Sequence, residues 1–273
     1  MRARRSAKAR SGPKLKPDTP MYHYIYEAFL TDPKFAKQLS VIENRLTDLG
    51  IYGSVHRLAL FKTMKGTVQD AVRRGAKTVV VVGDDGSVAR AIDAIAEFPG
   101  VVFGIIPVGE KNAIAKLIGI NDAMSACDIL SARLVEELDL GKVNKHYFLT
   151  SLNISGAVKA ECDGRYTVSP VNGGEICVSN FSMDDKGPGD PRDGRLETMV
   201  KTASRGFFRS IFAPAYASSG LSVFPTHNVV VRSPDNAQMT AIADGQSYQD
   251  AEFRIDIMPH RLTVIVGKDR TII

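Results

Sequence analysis

The chain has 273 residues, of which 44% are hydrophobic and 24% charged, the proportions of a globular protein with one large or two modest domains. It carries 35 basic and 30 acidic side chains, but Arg2, Arg4, Arg5, Lys8, Arg10, Lys14 and Lys16 crowd one acid-free stretch, and without them the body is slightly acidic. No apolar run approaches the roughly 20 residues needed to span a bilayer, and the three cysteines, Cys127, Cys162 and Cys177, lack metal-ligand spacing and read as reduced thiols of a cytoplasmic protein.

Residues 1–20 read as a disordered basic tail without the apolar core of a secretory signal. No aromatic residues interleave its charges, so no specific nucleic-acid partner is expected. His23 to Phe29 is a plausible first strand. Thr31-Asp32-Pro33 then supplies a capping side chain and a first-turn proline. Phe35, Leu39, Ile42, Leu46 and Leu49 recur on one helical face, and Gly50 ends it. A strand over Val55 to Phe61 and a helix over Thr63 to Gly75 follow. The β-branched run Val79 to Val82 stops at Gly83-Asp84-Asp85-Gly86-Ser87, and a helical pattern begins at once. Val101 to Ile106 repeats the theme, ending at Pro107-Val108-Gly109 with a helix opening near Asn112. This alternation predicts a doubly wound parallel α/β domain over residues 21–133. Both strand-to-helix turns would then lie at the carboxyl edge of the sheet, where such folds bind ligands. Glycine lets phosphate oxygens approach, and the following helix offers free N–H groups.

The pair of turns is more specific than either alone. Gly83-Asp-Asp-Gly-Ser resembles the GGDGT motif of the diacylglycerol kinase catalytic-domain family. Gly104-Ile-Ile-Pro-Val-Gly-Glu-Lys-Asn resembles that family's G-I-I-P-x-G-T-G-N-D segment. Ala115 to Ile120 continues like its A-x-x-L-G-I. The resemblance implies an ATP-dependent kinase acting on a hydroxyl of diacylglycerol or a similar lipid, at a membrane surface. Gly83, Asp84, Asp85, Gly86, Ser87, Gly109, Glu110, Lys111 and Asn112 would hold the nucleotide. Several positions depart from the pattern. Asp84 replaces a glycine, Glu110-Lys111 replace Thr-Gly, Ala113 replaces an acid, and the family's Asn-Pro-x-(Ser/Ala)-Gly first turn is here Ala28 to Pro33 without glycine. A carboxylate some 5 Å from a phosphate costs roughly 1–3 kcal/mol.

Past residue 133 short alternating runs separated by turn residues predict an antiparallel β-sandwich domain over residues 134–273, its last strands returning toward the first domain. Leu138-Asp-Leu-Gly-Lys-Val-Asn144 with Phe148 looks like the family's D-L-G-x-V-N…F junction. Asp190-Pro-Arg-Asp193-Gly-Arg195 is similar to a D-G-x-L-D loop that holds Mg²⁺, and the resemblance assigns Asp193 by its side chain and Asp190 and Arg195 by their carbonyls. An ordinary Asp-Gly turn is the other reading. Asp244-Gly-Gln246 looks like the family's D-G-E, in which the acid is general base toward the lipid hydroxyl. Asp244 keeps that role and Gln246 replaces the assisting carboxylate, although a hairpin turn alone would also explain the pair. The five histidines form no sequence-local ligand pair and read as surface or edge residues. Phe207, Phe208, Ile211 and Phe212 follow a basic stretch and read either as a membrane-touching patch or as a buried amphipathic helix. Three functions stay open: a lipid kinase, a worn relative that binds lipid or nucleotide, and a kinase of the NAD kinase type. A homodimer is equally open.

Overall fold

The structure is a computed structural model that describes residues 22–59, 62–170, 174–181, 189–201 and 221–271. The basic tail, the end of the expected second strand and the Phe207–Phe212 cluster lie outside them.

The front of the chain alternates as expected. β1 (Tyr22–Tyr26), β2 (Ser54–Arg57), β3 (Thr78–Gly83) and β4 (Val102–Pro107) pair in parallel in the order β2-β1-β3-β4. Every residue of β1 and β3 is buried, because helices cover both sheet faces. The helices are α1 (Ala36–Asp48), α2 (Met64–Arg73), α3 (Asp85–Ile95), α4 (Ala113–Leu117) and α5 (Ala123–Ala132). Side chains just before them set their starts: Thr63 caps α2, Asp84 caps α3, and Asp122 forms a reciprocal capping box with Ser125 on α5. The apolar stripe of α1 packs inward through Leu39, Ile42 and Leu46.

Two readings of this half need correction. The first strand stops at Tyr26 rather than Phe29. Two 3₁₀ turns, Ala28–Thr31 and Pro33–Phe35, take over there, with Glu27 and Asp32 accepting N–H groups at their starts. His23 is not a surface or edge residue. β1 lies inside the sheet, so His23 is 1% exposed, with its Nδ1 3.0 Å from Nε2 of His56 on the edge strand. Burial lowers the affinity of both rings for a proton, with His56 adding to the effect on His23 and Arg74 acting on both.

The back half is all β: β5 (Val135–Val143), β6 (His146–Phe148), β7 (Ser151–Ser155), β8 (Lys159–Cys162), β9 (Tyr166–Val168), β10 (Glu175–Ser179), β11 (Leu196–Lys201), β12 (Leu221–Thr226), β13 (Asn228–Arg232), β14 (Met239–Ala243), β15 (Gln246–Asp250) and β16 (Glu252–Ile265). A six-stranded antiparallel sheet runs β12-β11-β10-β7-β14-β15. It packs on the other sheet around Leu152, Ile154, Ile176, Val229, Val231 and Phe253. β12 and β15 have no counterpart in the sequence reading, because β15 is mostly polar and half-exposed and β12 carries Pro225.

Glu252 to Ile265 is one long strand, β16, with a register shift between Met258 and Leu262. This strand pairs antiparallel with β13 and parallel with β4 through Val264 and Phe103. The parallel sheet and half of the sandwich are therefore one ten-stranded sheet. At the shift, His260 takes φ 51° and donates its N–H to the buried Asp139 carboxylate at 2.8 Å. Two residues on, Gly141 lies under the Phe148 ring, where a Cβ would meet ring carbon at 2.1 Å.

Candidate active site

The strand order places a switch point at β1 and β3, where the chain first turns to β2 and then crosses to β3 and β4. The Gly83–Ser87 turn stands at that point. Gly83 has no side chain because Ser87 fills its place; a Cβ would sit 2.6 Å from Oγ. Asp84 turns onto its own helix, with Oδ1 accepting the Ser87 N–H at 3.0 Å and the Ser87 hydroxyl at 2.8 Å. Asp85 reaches the second turn: its two oxygens accept the N–H groups of Ala113 at 2.8 Å and Ile114 at 2.9 Å, while its own N–H donates to the Lys111 carbonyl at 2.8 Å. The anion-attracting starts of α3 and α4 are thus both engaged by acids of the first turn.

The turns converge. Gly109, at φ 118°, packs so close that a Cβ would lie 3.2 Å from the Asp84 Cβ and 3.4 Å from the Phe29 ring. Asn112 donates Nδ2–H to the Gly109 carbonyl at 2.9 Å and closes the second loop. Glu110 and Lys111 are exposed at the lip. Between the loops opens a cavity of about 950 Å³ lined by Phe29, Lys34, Phe35, Asp84, Glu110 and Lys111 among others. A second cavity of about 780 Å³ has mostly apolar walls, including Ala28, Leu58, Ala59 and Met64. Glu27 and Arg90, paired at 2.8 Å across β1 and α3, line that second cavity too. Sequence reading missed this pair, whose members stand far apart in the chain.

The other half delivers its motif to the same place. Asp244 and Gly245 form the two-residue turn between β14 and β15, with φ 46° and 77°. The hairpin alone accounts for Asp-Gly, but not for where the carboxylate points. Asp244 turns inward and accepts the N–H groups of Leu149 at 2.6 Å and Thr150 at 2.9 Å, and the Thr150 hydroxyl. Burial pushes its proton affinity up, opposed by those donors. Gln246 Nε2 lies 4.0 Å from the point a Gly86 Cβ would occupy, and Arg90 and Asp84 approach the same point at 3.5 Å. The structure thus gathers the Gly83–Ser87 turn, the Gly109–Asn112 loop and Gln246.

Asp190, Asp193 and Arg195 lie elsewhere, on the loop before β11. Asp190 Oδ1 accepts the Arg192 N–H at 3.1 Å and its carbonyl accepts the Asp193 N–H at 3.2 Å. Asp193 accepts the Arg195 N–H at 2.9 Å. Gly194 donates to Asp139 at 2.8 Å. Among the described residues no group of three or more His, Cys, Asp or Glu side chains is set to hold a metal ion. Nearby Glu197, not singled out by sequence, is pushed up to about 7, chiefly by burial and then by Asp193. The loop connects to the Asp244 turn through buried Asn180, whose Nδ2 donates to the carbonyls of Asp139 at 2.9 Å and Leu149 at 2.8 Å.

A crevice at a switch point, with a carboxylate turn from a β-rich unit beside it, defines the class of fold: a two-part architecture of a parallel α/β sheet and an antiparallel β-sandwich. Residues 24–143 match the family described as the diacylglycerol kinase catalytic domain. A diacylglycerol kinase of Bacillus subtilis (strain 168) is 26% identical over 125 residues, 45% of this chain and 40% of that protein. One from Staphylococcus aureus (strain bovine RF122 / ET3-1) is 31% identical over 127 residues, 46% of this chain and again 40% of the relative. The matched stretch thus spans 40% of the length of these relatives. In overall fold the chain is similar to a crystal structure of a diacylglycerol kinase from Bacillus anthracis str. Sterne, with a TM-score of 0.72 and 15% identity over 93% of this chain and 100% of that one. It is also similar to an NAD kinase from Archaeoglobus fulgidus in complex with ATP, with a TM-score of 0.58 and 14% identity over 92% and 96%.

Proposed function

We propose that the protein transfers the terminal phosphoryl group of ATP to a hydroxyl of diacylglycerol or a related lipid. The observation that carries this reading is the meeting of two motifs distant in sequence: Gly86 at the start of α3 and Gln246 beside Asp244, with only 4.0 Å between the amide nitrogen and the space over the glycine. The donor would rest its phosphates over Gly86 and its base in the apolar cavity, while Lys34 and Lys111 offer cations on the polar side. The apolar cavity of about 780 Å³ is ample for the base and sugar, since ligand sites run roughly 300–1,000 Å³.

Phosphoryl transfer asks the protein mainly for position and charge compensation, plus one group to take the hydroxyl proton. Asp244 is our choice for that group. Its inward turn fixes the carboxylate against two N–H groups and a hydroxyl, so it is held in one orientation. Gln246 offers an N–H donor where a carboxylate would repel phosphate. Mg²⁺ accompanying the nucleotide would neutralise phosphate charge, and Asp84, Glu110 and Asp122 are the acids that line the cavity and could meet it.

The test is incubation of the full chain with radiolabelled ATP, Mg²⁺ and vesicles containing diacylglycerol. Labelled phospholipid is expected, reduced about 10²- to 10⁴-fold by Asp244→Asn. No labelled lipid with any acylglycerol, sphingoid or prenyl alcohol would overturn the reading. One observation favours a second reading, a nucleotide binder with feeble transfer: Asp84 already occupies the Ser87 N–H and hydroxyl at the start of α3. ATP binding without phosphorylation of any acceptor would select it.

A further inference from the structure

The same helix that begins at the phosphate turn is tied to the β-rich half two turns further on. Gly86, Arg90 and Asp93 succeed one another at four- and three-residue spacing, so they share a face of α3. At one end of that stripe Gly86 faces Gln246. At the other, the Asp93 carboxylate grips β6 with both oxygens: Oδ1 accepts the Tyr147 N–H at 2.8 Å, and Oδ2 lies 2.9 Å from His146 Nδ1. The His146 ring stacks on Tyr248 of β15, with centroids 4.3 Å apart and planes 27° apart. Both strands held this way lead into the Asp244 site. β6 ends one residue before Leu149 and Thr150, whose N–H groups hold the Asp244 carboxylate, and β15 begins with Gln246.

We propose that Asp93 and His146 are positioning residues, which set the angle of α3 against the Asp244–Gln246 turn and so the distance between donor phosphate and acceptor base. Gly86 and Asp93 are about 10 Å apart along the helix axis. A tilt of about 5° on losing the far anchor moves the Gly86 end by about 1 Å, a misplacement that can cost about 100-fold in rate. The adjacent cation pairs do not replace the anchor: Lys65 is engaged by Glu97 at 2.7 Å and Arg90 by Glu27 at 2.8 Å.

The kinetic arm of the test rests on the lipid kinase reading, and a second arm does not. In the first, His146→Ala is expected to lower kcat about 10- to 100-fold with the KM for ATP unchanged. His146→Asn, whose side-chain N–H falls where the imidazole Nδ1–H was, is expected to recover most of that loss. In the second, hydrogen exchange of peptides spanning 146–152 and 243–250 should quicken in His146→Ala and stay near wild type in His146→Asn. Asp93→Ala opens the same link from the helix side and stands in if His146→Ala does not fold. A rise in the KM for ATP at constant kcat would overturn the proposal, as would equal losses in the Ala and Asn variants or wild-type exchange in His146→Ala. If the wild-type chain phosphorylates no lipid, the function reading fails and the exchange arm alone decides this one.

Discussion

Replacing Asp84 by Asn separates two effects that the wild-type carboxylate combines. Asn caps a helix about as well as Asp, so the bond from the Ser87 N–H, 3.0 Å in the wild type, is kept. The negative charge is lost. At the start of α3 that charge stabilises the helix by about 0.3–1 kcal/mol, and its removal should lower Tm by only a few degrees. Toward a bound triphosphate the same charge is repulsive. Asp84 Oδ1 stands 3.5 Å from the space over Gly86, so a phosphate oxygen seated there places unit charges roughly 5 Å apart. The energy is about 0.8 kcal/mol in a water-like medium and about 3 kcal/mol at an effective dielectric of 20. Asp84→Asn should therefore tighten ATP binding by about 4-fold to a few hundred-fold, while the protein becomes slightly less stable. Titration calorimetry with ATP and with ATP plus Mg²⁺, at low and high salt, measures the first; thermal unfolding measures the second. Weaker ATP binding by Asp84→Asn in the absence of metal would refute the reasoning, because it would make the carboxylate an aid to the nucleotide.

Other variants probe the frame around the site. Asp85→Asn should place an amide N–H against one of the two N–H groups that Asp85 now accepts, costing about 1–3 kcal/mol in urea unfolding and loosening the Glu110–Asn112 loop to protease. Gly141→Ala would drive a methyl into the Phe148 ring; a loss of at least about 1–3 kcal/mol is expected, and Phe148→Leu in the same chain should return part of it. Glu197 is raised to about 7 in the fold. The contribution of its protonated form is therefore full below its unfolded value, near 4.5, and is lost as pH rises through about 7. Glu197→Gln should match wild type near pH 5 and exceed it at pH 8 by about 1–3 kcal/mol after allowance for solvent screening. His23 and His56 run the other way: their depressed proton affinities give stability above pH 6.5 that falls as acid charges the pair, and His56→Gln should flatten that slope.

The alternation of fully apolar strands with amphipathic helices was legible along residues 22–132, because burial on both faces of a parallel sheet leaves a continuous apolar run such as Val79 to Val82 that no surface strand would show. The start of α2 was legible at Thr63, where a short side chain can reach a nearby N–H, whereas the cap read at Asp32 belongs to a 3₁₀ turn that precedes α1. The two turns of the candidate site could be read as a pair from the motifs they resemble, and Gly109 is the glycine at which the second turn meets the first, against the Asp84 Cβ. What the residues could not say was where each carboxylate would go. Asp84, Asp85 and Asp244 are chemically alike; one caps its own helix, one caps the next helix, and one is gripped by a strand end almost a hundred residues earlier. Those destinations depend on contacts between parts distant in the chain, as do the His23–His56 contact and the hold of Asp93 on His146. The primary structure therefore determined which segments would be strands and helices and which residue types were on hand for chemistry. Only the tertiary structure decided which of them face one another, because a carboxylate takes whichever donor the packing of remote segments brings within 3 Å or so of it.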